Sequence, residues 1–475
     1  MSEQFKRRKR KNSVNRALLA VLSFVIVLVV AAGSIFVIEN FVYDDKNYSS
    51  SGSDTQSGIV SVPSEPDKPE PITKVSTATI AATGDLLMHE PIITHSKFDE
   101  GYNFDLIYTY LKDYASKVDY SVANLETTLR GIEDGYEYSG YPQFNCPDEI
   151  VDATKAAGFD MLLTANNHSY DTRYKGMIRT LEVIDEKGLD RLGIIKEETE
   201  KKYTVKEING IKIGMICYTY ETDTEPDEIA LNGIALNEDA EKRVNAFSYG
   251  ELDTFYETIE GQFKAMKEDG AEALVLFIHW GDEYQTKQNK KQSAIAQKLC
   301  DLGVDVIVGG HPHVVQPIDL LTSEADPNHK TVCLYSMGNA VSNQRRERMN
   351  LKTGHTEDGV LFEFTFAKYS DGTVVLEDAD ILPTWVNMFT SKATGKKVYQ
   401  IIPLDTEKTD WKEAFDLTDN SEAKAKESLE RTQKIVGDGL KKVQEYLKSD
   451  ENAYPKPETL EPTDSSDVSS ETVSE

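Results

Sequence analysis

Cysteine is scarce in this 475-residue chain. The four present, Cys146, Cys217, Cys300 and Cys333, show no Cys-x-x-Cys spacing, so spacing alone supports neither a thiolate zinc site nor a disulfide framework. Buried single thiols are the expected state, with one long-range disulfide left open on an oxidising side of a membrane. Positive charge is short as well: 52 Lys and Arg stand against 81 Asp and Glu, for a formal net charge of -29. Seven of the basic residues fall within positions 1–16, so the rest of the chain is more acidic still. Such a body is a poor match for DNA or for an anionic lipid face, and no nucleic-acid partner is expected. Histidine is limited to eight residues, which makes their placement informative. No repeat of fixed period is present.

What is there begins with a basic leader, residues 1–16, followed by the uncharged apolar run "ALLAVLSFVIVLVVAAGSIFVI" over 17–38. That run is long enough to cross the hydrocarbon core as a helix. Lys6–Lys11 precede it and Glu39, Asp44 and Asp45 follow, so the positive-inside rule puts the N-terminus in the cytoplasm and the remainder outside the cell membrane. A cleavable signal peptide has a shorter apolar region, so an uncleaved single-pass anchor is expected. Absence of a cysteine near the end of the run argues against a lipoprotein.

Residues 39–74 are rich in Ser, Pro and acids and read as a disordered stalk. Residues 451–475 read as a disordered acidic tail. Residues 407–450 contain helical spacing over Ser421–Leu447, the expectation for a peripheral helical segment. Between them, residues 75–406 alternate short apolar runs with helical patterns. "TATIAATG", "YSVANLE", "DMLLTANN", "IKIGMICYT", "ALVLFIHWG", "VDVIVGGH", "TVCLYSMGN" and "GVLFEFTF" read as strands. "LIYTYLKDYASK", "GMIRTLEVIDEKG", "FYETIEGQFKAMKEDG" and "QSAIAQKLCDLG" read as helices, and Asn209-Gly210 reads as a hairpin turn. Such alternation predicts a layered α/β domain with a mostly buried sheet.

Ligands of layered α/β folds sit where strands give way to loops at their carboxyl ends. There this sequence places Asp85 with His89 four residues on, Asn124 with Glu126, and Asn166, Asn167 and His168 with Asp171. Further on come His279 with Asp282 and Glu283, then His311 with His313, and Asn339. Imidazoles and carboxylates without thiolate suit Zn, Mn or Fe rather than a structural zinc. Singly, each residue has an ordinary explanation, a helix cap, a turn or a hydrogen-bonded histidine. Their gathering at successive strand ends is the signal. In "GGHPH", Gly309 and Gly310 are expected to let the backbone bend while Pro312 holds both rings forward. Arg173 and Arg345 or Arg346 would suit an anion clamp, although surface solvation is the expected state for them.

The stretches "TGDLLMHE", "ANLETTL", "TANNHSYD", "FIHWGDEY", "GGHPHVVQP" and "LYSMGNAVSNQ" closely resemble, in the same order, motifs of the bacterial capsule synthesis family of CapA or PgsA type, associated with poly-γ-glutamate. The resemblance covers roughly Thr77 to Leu382. It implies the calcineurin-like metallophosphatase fold, a four-layer αββα sandwich, here preceded by one transmembrane helix. It also implies that Asp85 and His313 serve a first metal, that His279, His311 and Asn167 serve a second, and that Glu126 stands at the bridging aspartate. His168 would face the substrate, and Asp171 would orient its ring. Two rings one residue apart can then reach two ions about 3.5–4 Å apart. The family's Asp-x-His is missing, since His89 lies four residues after Asp85, and its role as a ligand stays open. Glu126 in place of Asp leaves one or two ions open. The implied function is synthesis, export or attachment of a cell-surface polymer of poly-γ-glutamate type, alongside a membrane-bound synthase complex. The chain would act there as a metal-dependent phosphoesterase-like or amide-cleaving hydrolase, or as a non-catalytic polymer-binding accessory.

Overall fold

Alternation along each strand decides how the molecule is layered. In β1 (Lys74–Leu86), Ala78, Ile80 and Ala82 face one cluster of buried side chains and Ala81 faces another. In β6 (Ile211–Tyr220), Ile211, Ile213, Met215 and Cys217 join the first of these clusters, while Ile216 and Tyr218 point the opposite way. In β8 (Ala273–His279) the odd-numbered Ala273, Val275 and Phe277 join it too, and Leu274, Leu276 and Ile278 oppose them. A period of two buries both faces of a strand when each face meets its own partner. The common cluster is therefore a seam between two sheets packed face to face.

The structure, a computed structural model, describes residues 71–222, 228–408 and 410–456. The leader, the apolar run 17–38, and most of the stalk and tail lie outside the described residues. Among the described residues no helix is long and apolar enough to cross a membrane.

The first sheet has eight strands. The further members needed are β2 (Tyr120–Asn124), β3 (Met161–Leu163), β4 (Asp190–Leu192), β12 (Asn339–Val341), β13 (Asp358–Tyr369), β14 (Val374–Thr390) and β15 (Lys397–Pro403). Their order is β15-β14-β13-β1-β2-β3-β4, with β12 paired to the end of β1. β1 to β4 run parallel, and β13 to β15 add an antiparallel edge. The second sheet has seven strands. β6 and β8 join β5 (Thr204–Ile208), β7 (Ala246–Phe247), β9 (Val306–Gly310), β10 (Ile318–Thr322) and β11 (Lys330–Leu334), in the order β7-β6-β8-β9-β11-β10 with β5 on β6. β5 and β6 form the expected hairpin: Asn209 and Gly210 have φ of 50° and 80°, the positive pair that a two-residue turn requires.

Helices cover both outer faces. α1 (Glu90–His95), α2 (Lys112–Ala115), α3 (Glu149–Ala156) and α4 (Arg173–Lys187) pack on the first sheet, and α5 (Leu252–Glu268) and α6 (Lys290–Asp301) on the second. All four cysteines are free and buried. β10 and the final strands β14 and β15 are not distinct in the sequence pattern; in β14, which lies between β13 and β15, the acids Glu377, Asp378 and Asp380 and then Pro383 interrupt the apolar residues.

The helical spacing over Ser421–Leu447 forms α7 (Asp419–Leu447), capped by Thr418, whose side chain accepts from the Ser421 amide. It packs into the body. Val436, Val443 and Leu447 are buried in the seam cluster together with Ile318 of β10 and Ala379 and Ile381 of β14. Near its N-terminal half, Arg431 and Ser428 donate to Asp358 at the start of β13, with distances of 2.6 Å from Arg431 Nη2 and from Ser428 Oγ. A Cβ on Gly439 would meet the Ile318 carbonyl oxygen at 1.8 Å, whereas one on Gly437 meets nothing within 4 Å. The two glycines make a matched test. Gly439→Ala should destabilise by about 1–3 kcal/mol through overpacking against backbone, and Gly437→Ala should stabilise by up to about 1 kcal/mol through helix propensity. Urea unfolding of both variants checks this; equal shifts would mean that α7 does not lie against β10.

Candidate metal centre

The parity that builds the seam also aims the polar strand ends into it. His279 continues the inward series of Val275 and Phe277, and Asn124 continues that of Tyr120 and Val122. In β1 the register shifts around Asp85, which pairs with Asn124 on one side and Asn339 on the other. In β8 and β9, His279 pairs with Gly310, so His311 starts one step beyond.

Five of the six expected ligands converge. Asp85, Glu126 and His313 form one buried group, and Glu126, His279 and His311 form a second, with ligand atoms within 4.8 Å of one another in each. Glu126 belongs to both. Asn167, the sixth, lies against the second group, its Oδ1 2.9 Å from Nε2 of His279. Nδ1 of His313 is 3.1 Å from Oδ2 of Asp85, whose other oxygen accepts from Asn124 Nδ2 at 2.8 Å. Asn339 supports His313 twice, with Oδ1 3.2 Å from Nδ1 of the ring and Nδ2 donating to its carbonyl.

The bend in "GGHPH" is made differently from the expectation. Gly309 and Gly310 are ordinary members of β9, and the left-handed residues are the histidines themselves, His311 with φ 95° and His313 with φ 57°. Non-glycine residues with such φ are costly and mark positions held by their surroundings. Gly309 is required for close approach, since a Cβ there would stand 2.0 Å from the Tyr335 carbonyl oxygen.

His89 is in neither ligand group. It forms the N-cap position of α1, and its ring packs edge-on against Phe144, with Nδ1 facing the Leu87 carbonyl and the Asn343 amide. Burial holds it down at about 4. His168 and Asp171 meet as expected: His168 donates from Nδ1 to Asp171 Oδ2 at 2.8 Å. Asp171 is itself held by the Phe144 amide at 2.7 Å and by Asn232 Nδ2 at 3.0 Å. Asn232 was not among the expected site residues. The "LNGIA" around it signals a second Asn-Gly hairpin, but nothing local tells that the turn reaches Asp171.

The arginines divide. Arg173 is exposed, in keeping with solvation. Arg345 is 1% exposed and pairs with the buried Glu357 at 3.3 Å, and Arg346 pairs with the same carboxylate. Both are spent on Glu357, so neither surface solvation nor an anion clamp describes Arg345.

Electrostatics at the centre are one-sided. Burial, then the neighbouring Asp85 charge, pushes the Glu126 carboxyl well above its ordinary range. Burial alone would raise Asp85 too, but the hydrogen bond and charge of His313 outweigh it and hold Asp85 low. Burial drives His279 down to about 3 and His311 well below the usual imidazole value. Neutral imidazoles are the ligand form. Both oxygens of Glu126 and Nδ1 of His311 are buried without a hydrogen-bond partner. A buried orphan carboxylate is expensive. A divalent cation would satisfy all three orphan atoms, so this mixed N/O set fits one.

A family model described as "Bacterial capsule synthesis protein PGA_cap" matches residues 79–344. Capsule biosynthesis protein CapA of Bacillus anthracis is 26% identical over 346 residues, covering 70% of this chain and 74% of that protein. PGA biosynthesis protein CapA of Bacillus subtilis (strain 168) is 27% identical over 300 residues, covering 63% and 70%. Among solved structures, the NAD nucleotidase of Haemophilus influenzae aligns at 13% identity and a TM-score of 0.39, over 76% of this chain and 63% of that one, a likeness too slight to assign a fold by itself.

A folded histidine held near 3 against an ordinary 6.5 contributes stability that is fully present above pH 6.5 and is lost as pH falls through about 3. Metal-stripped protein should accordingly lose unfolding temperature with acidification across that window, and His279→Gln should flatten the decline. Parallel profiles for the two proteins would contradict the burial argument.

Proposed function

Since the chain belongs to the family of bacterial capsule synthesis proteins (PGA_cap), we propose that it serves the synthesis, export or attachment of a cell-surface polymer of poly-γ-glutamate type, as a divalent-metal-dependent hydrolase. The observation that carries the reading is the orphan carboxylate of Glu126, shared by two groups of buried ligands. Two packed sheets flanked by helices, with the ligands at the carboxyl ends of parallel strands, support the calcineurin-like metallophosphatase fold for this chain.

Asp85, Glu126 and His313 would hold one ion, and Glu126, His279, His311 and Asn167 a second, with Mn, Fe or Zn suited to the donor set. An ion there would supply Lewis acidity toward a substrate oxygen and toward water. The chain's own contribution is positioning and proton handling. Asp171 accepts from Nδ1 of His168 and so assigns the proton there, leaving Nε2 to give or take a proton at the reacting group. Asn232 and the Phe144 amide fix Asp171, and the edge of Phe144 against the His168 ring, centroids 4.7 Å apart, limits its rotation. The apolar run 17–38 would anchor the chain in the cell membrane, with the N-terminus in the cytoplasm and the body outside, beside a membrane-bound synthase complex.

Metal content and turnover separate the parts of this reading. Detergent-solubilised full chain should hold Mn, Fe or Zn near stoichiometry by plasma mass spectrometry, and His311→Ala/His313→Ala should lose it. His168→Gln should keep the metal yet hydrolyse γ-glutamyl amide or phosphodiester probes on the order of 10²–10⁴-fold more slowly. Metal without turnover of either probe would overturn the hydrolase and leave a non-catalytic polymer-binding accessory. Absence of metal after reloading would remove the centre altogether.

A further inference from the structure

A cleft of about 660 Å³ opens beside His311, and its charged lining is Glu221, Asp282, Glu283, Lys290 and Lys291. It adjoins the metal centre directly, because buried His311, with its orphan Nδ1, is part of its wall. The walls are held in place. Asn289 caps α6 through a reciprocal bond with Gln292 and donates from Nδ2 to Asp282 at 2.8 Å. Tyr249 accepts from the Gly281 amide at 2.8 Å, and the Lys291 ammonium stands 4.8 Å from the Tyr249 ring centroid.

Opposite charges face this cleft without neutralising one another: among the described residues no ion pair joins either lysine to Glu221, Asp282 or Glu283. Unpaired charges of both signs around one small cavity suit a ligand that carries both signs on neighbouring atoms. The interior of a γ-linked glutamate chain carries one carboxylate per residue and no cation, and would meet three acidic side chains on a chain whose formal net charge is -29. The residue at its free amino end differs. Its α-carbon bears an ammonium and a carboxylate together, and its γ-carbonyl, the first amide of the chain, lies three bonds away.

Resting on the polymer reading above, we infer that this cleft is the subsite for the zwitterionic amino-terminal residue of a γ-linked glutamate chain. The carboxylate sits toward Lys290 and Lys291 in the first turn of α6, the ammonium sits toward Glu221, Asp282 and Glu283, and the first amide is directed to His311. The protein recognises the end of the polymer and not its length.

The test is calorimetric titration of metal-loaded full chain with a γ-glutamyl trimer whose amino end is free and with the same trimer N-acetylated, metal content being assayed on the same samples. The free trimer should bind at least tenfold more tightly. Lys290→Ala/Lys291→Ala should weaken the free trimer about tenfold, and Glu221→Gln/Glu283→Gln should abolish the preference over the acetylated one. Equal affinity for the two trimers, or a preference that survives Glu221→Gln/Glu283→Gln, overturns the subsite and leaves polymer binding intact. Failure of both trimers to bind a fully metal-loaded protein also overturns it and leaves the metal centre standing, whereas a wild type that holds no metal strikes the functional reading itself.

Discussion

A carboxylate without a partner governs this structure. Glu126 is fully buried where the two sheets separate at the ends of their parallel strands, and no donor reaches either of its oxygens. An unpaired buried charge costs several kcal/mol even after relaxation, so a fold keeps such a group only protonated or facing a cation. Around it most other polar groups are already committed, with Nδ1 of His311 the exception. Asp85 is held by Asn124 and His313, His313 by Asn339, and His279 by Asn167. What is left over is a set of lone pairs converging on one space.

That convergence is a product of the packing. Side chains on the inner faces of β1, β2, β3, β8 and β9 alternate in phase, apolar along the seam and polar only where each strand ends. Because β1, β2 and β3 run parallel, and likewise β8 and β9, the carboxyl ends of each set lie at one edge of its sheet. α7 consolidates this at a distance. Its Arg431 and Ser428 hold Asp358, the residue before Gly359, and Gly359 bridges Gly338 beside the site residue Asn339. A C-terminal helix that carries no ligand thus supports the strand from which Asn339 reaches His313.

The His168–Asp171 pair and the cleft beside His311 differ in their chemistry. Around His168 the contacts are short and closed, a carboxylate, an aromatic edge and an asparagine. Around the cleft Asp282, Glu283, Lys290 and Lys291 are exposed and Glu221 is half-buried, and neither lysine is ion-paired with these acids. Closed geometry suits the handling of one proton, whereas exposed charges suit the reception of a ligand from water.

Reading the strand ends from sequence was enough to gather Asp85, Glu126, Asn167, His279, His311 and His313 within a longer set of polar candidates, because burial requires apolar runs and a polar residue that closes such a run stands out; it was the family resemblance that singled out these six as ligands. The same periodicity disclosed α4 to α7, the β5–β6 hairpin and the layered α/β class. It left β10, β14 and β15 unread, since in β14 the acids Glu377, Asp378 and Asp380 and then Pro383 break up the apolar residues that would mark a strand. It also misassigned the bend at "GGHPH": the demand on Gly309 comes from the Tyr335 carbonyl on a neighbouring strand, which no local pattern contains. For the same reason Asn232 beside Asp171, the confinement of Arg345 against Glu357, and the exclusion of His89 from the ligands were matters of tertiary structure. Residue type and period are local properties that the chain carries by itself, while which lone pair ends without a partner depends on how two sheets distant in sequence come to rest against each other.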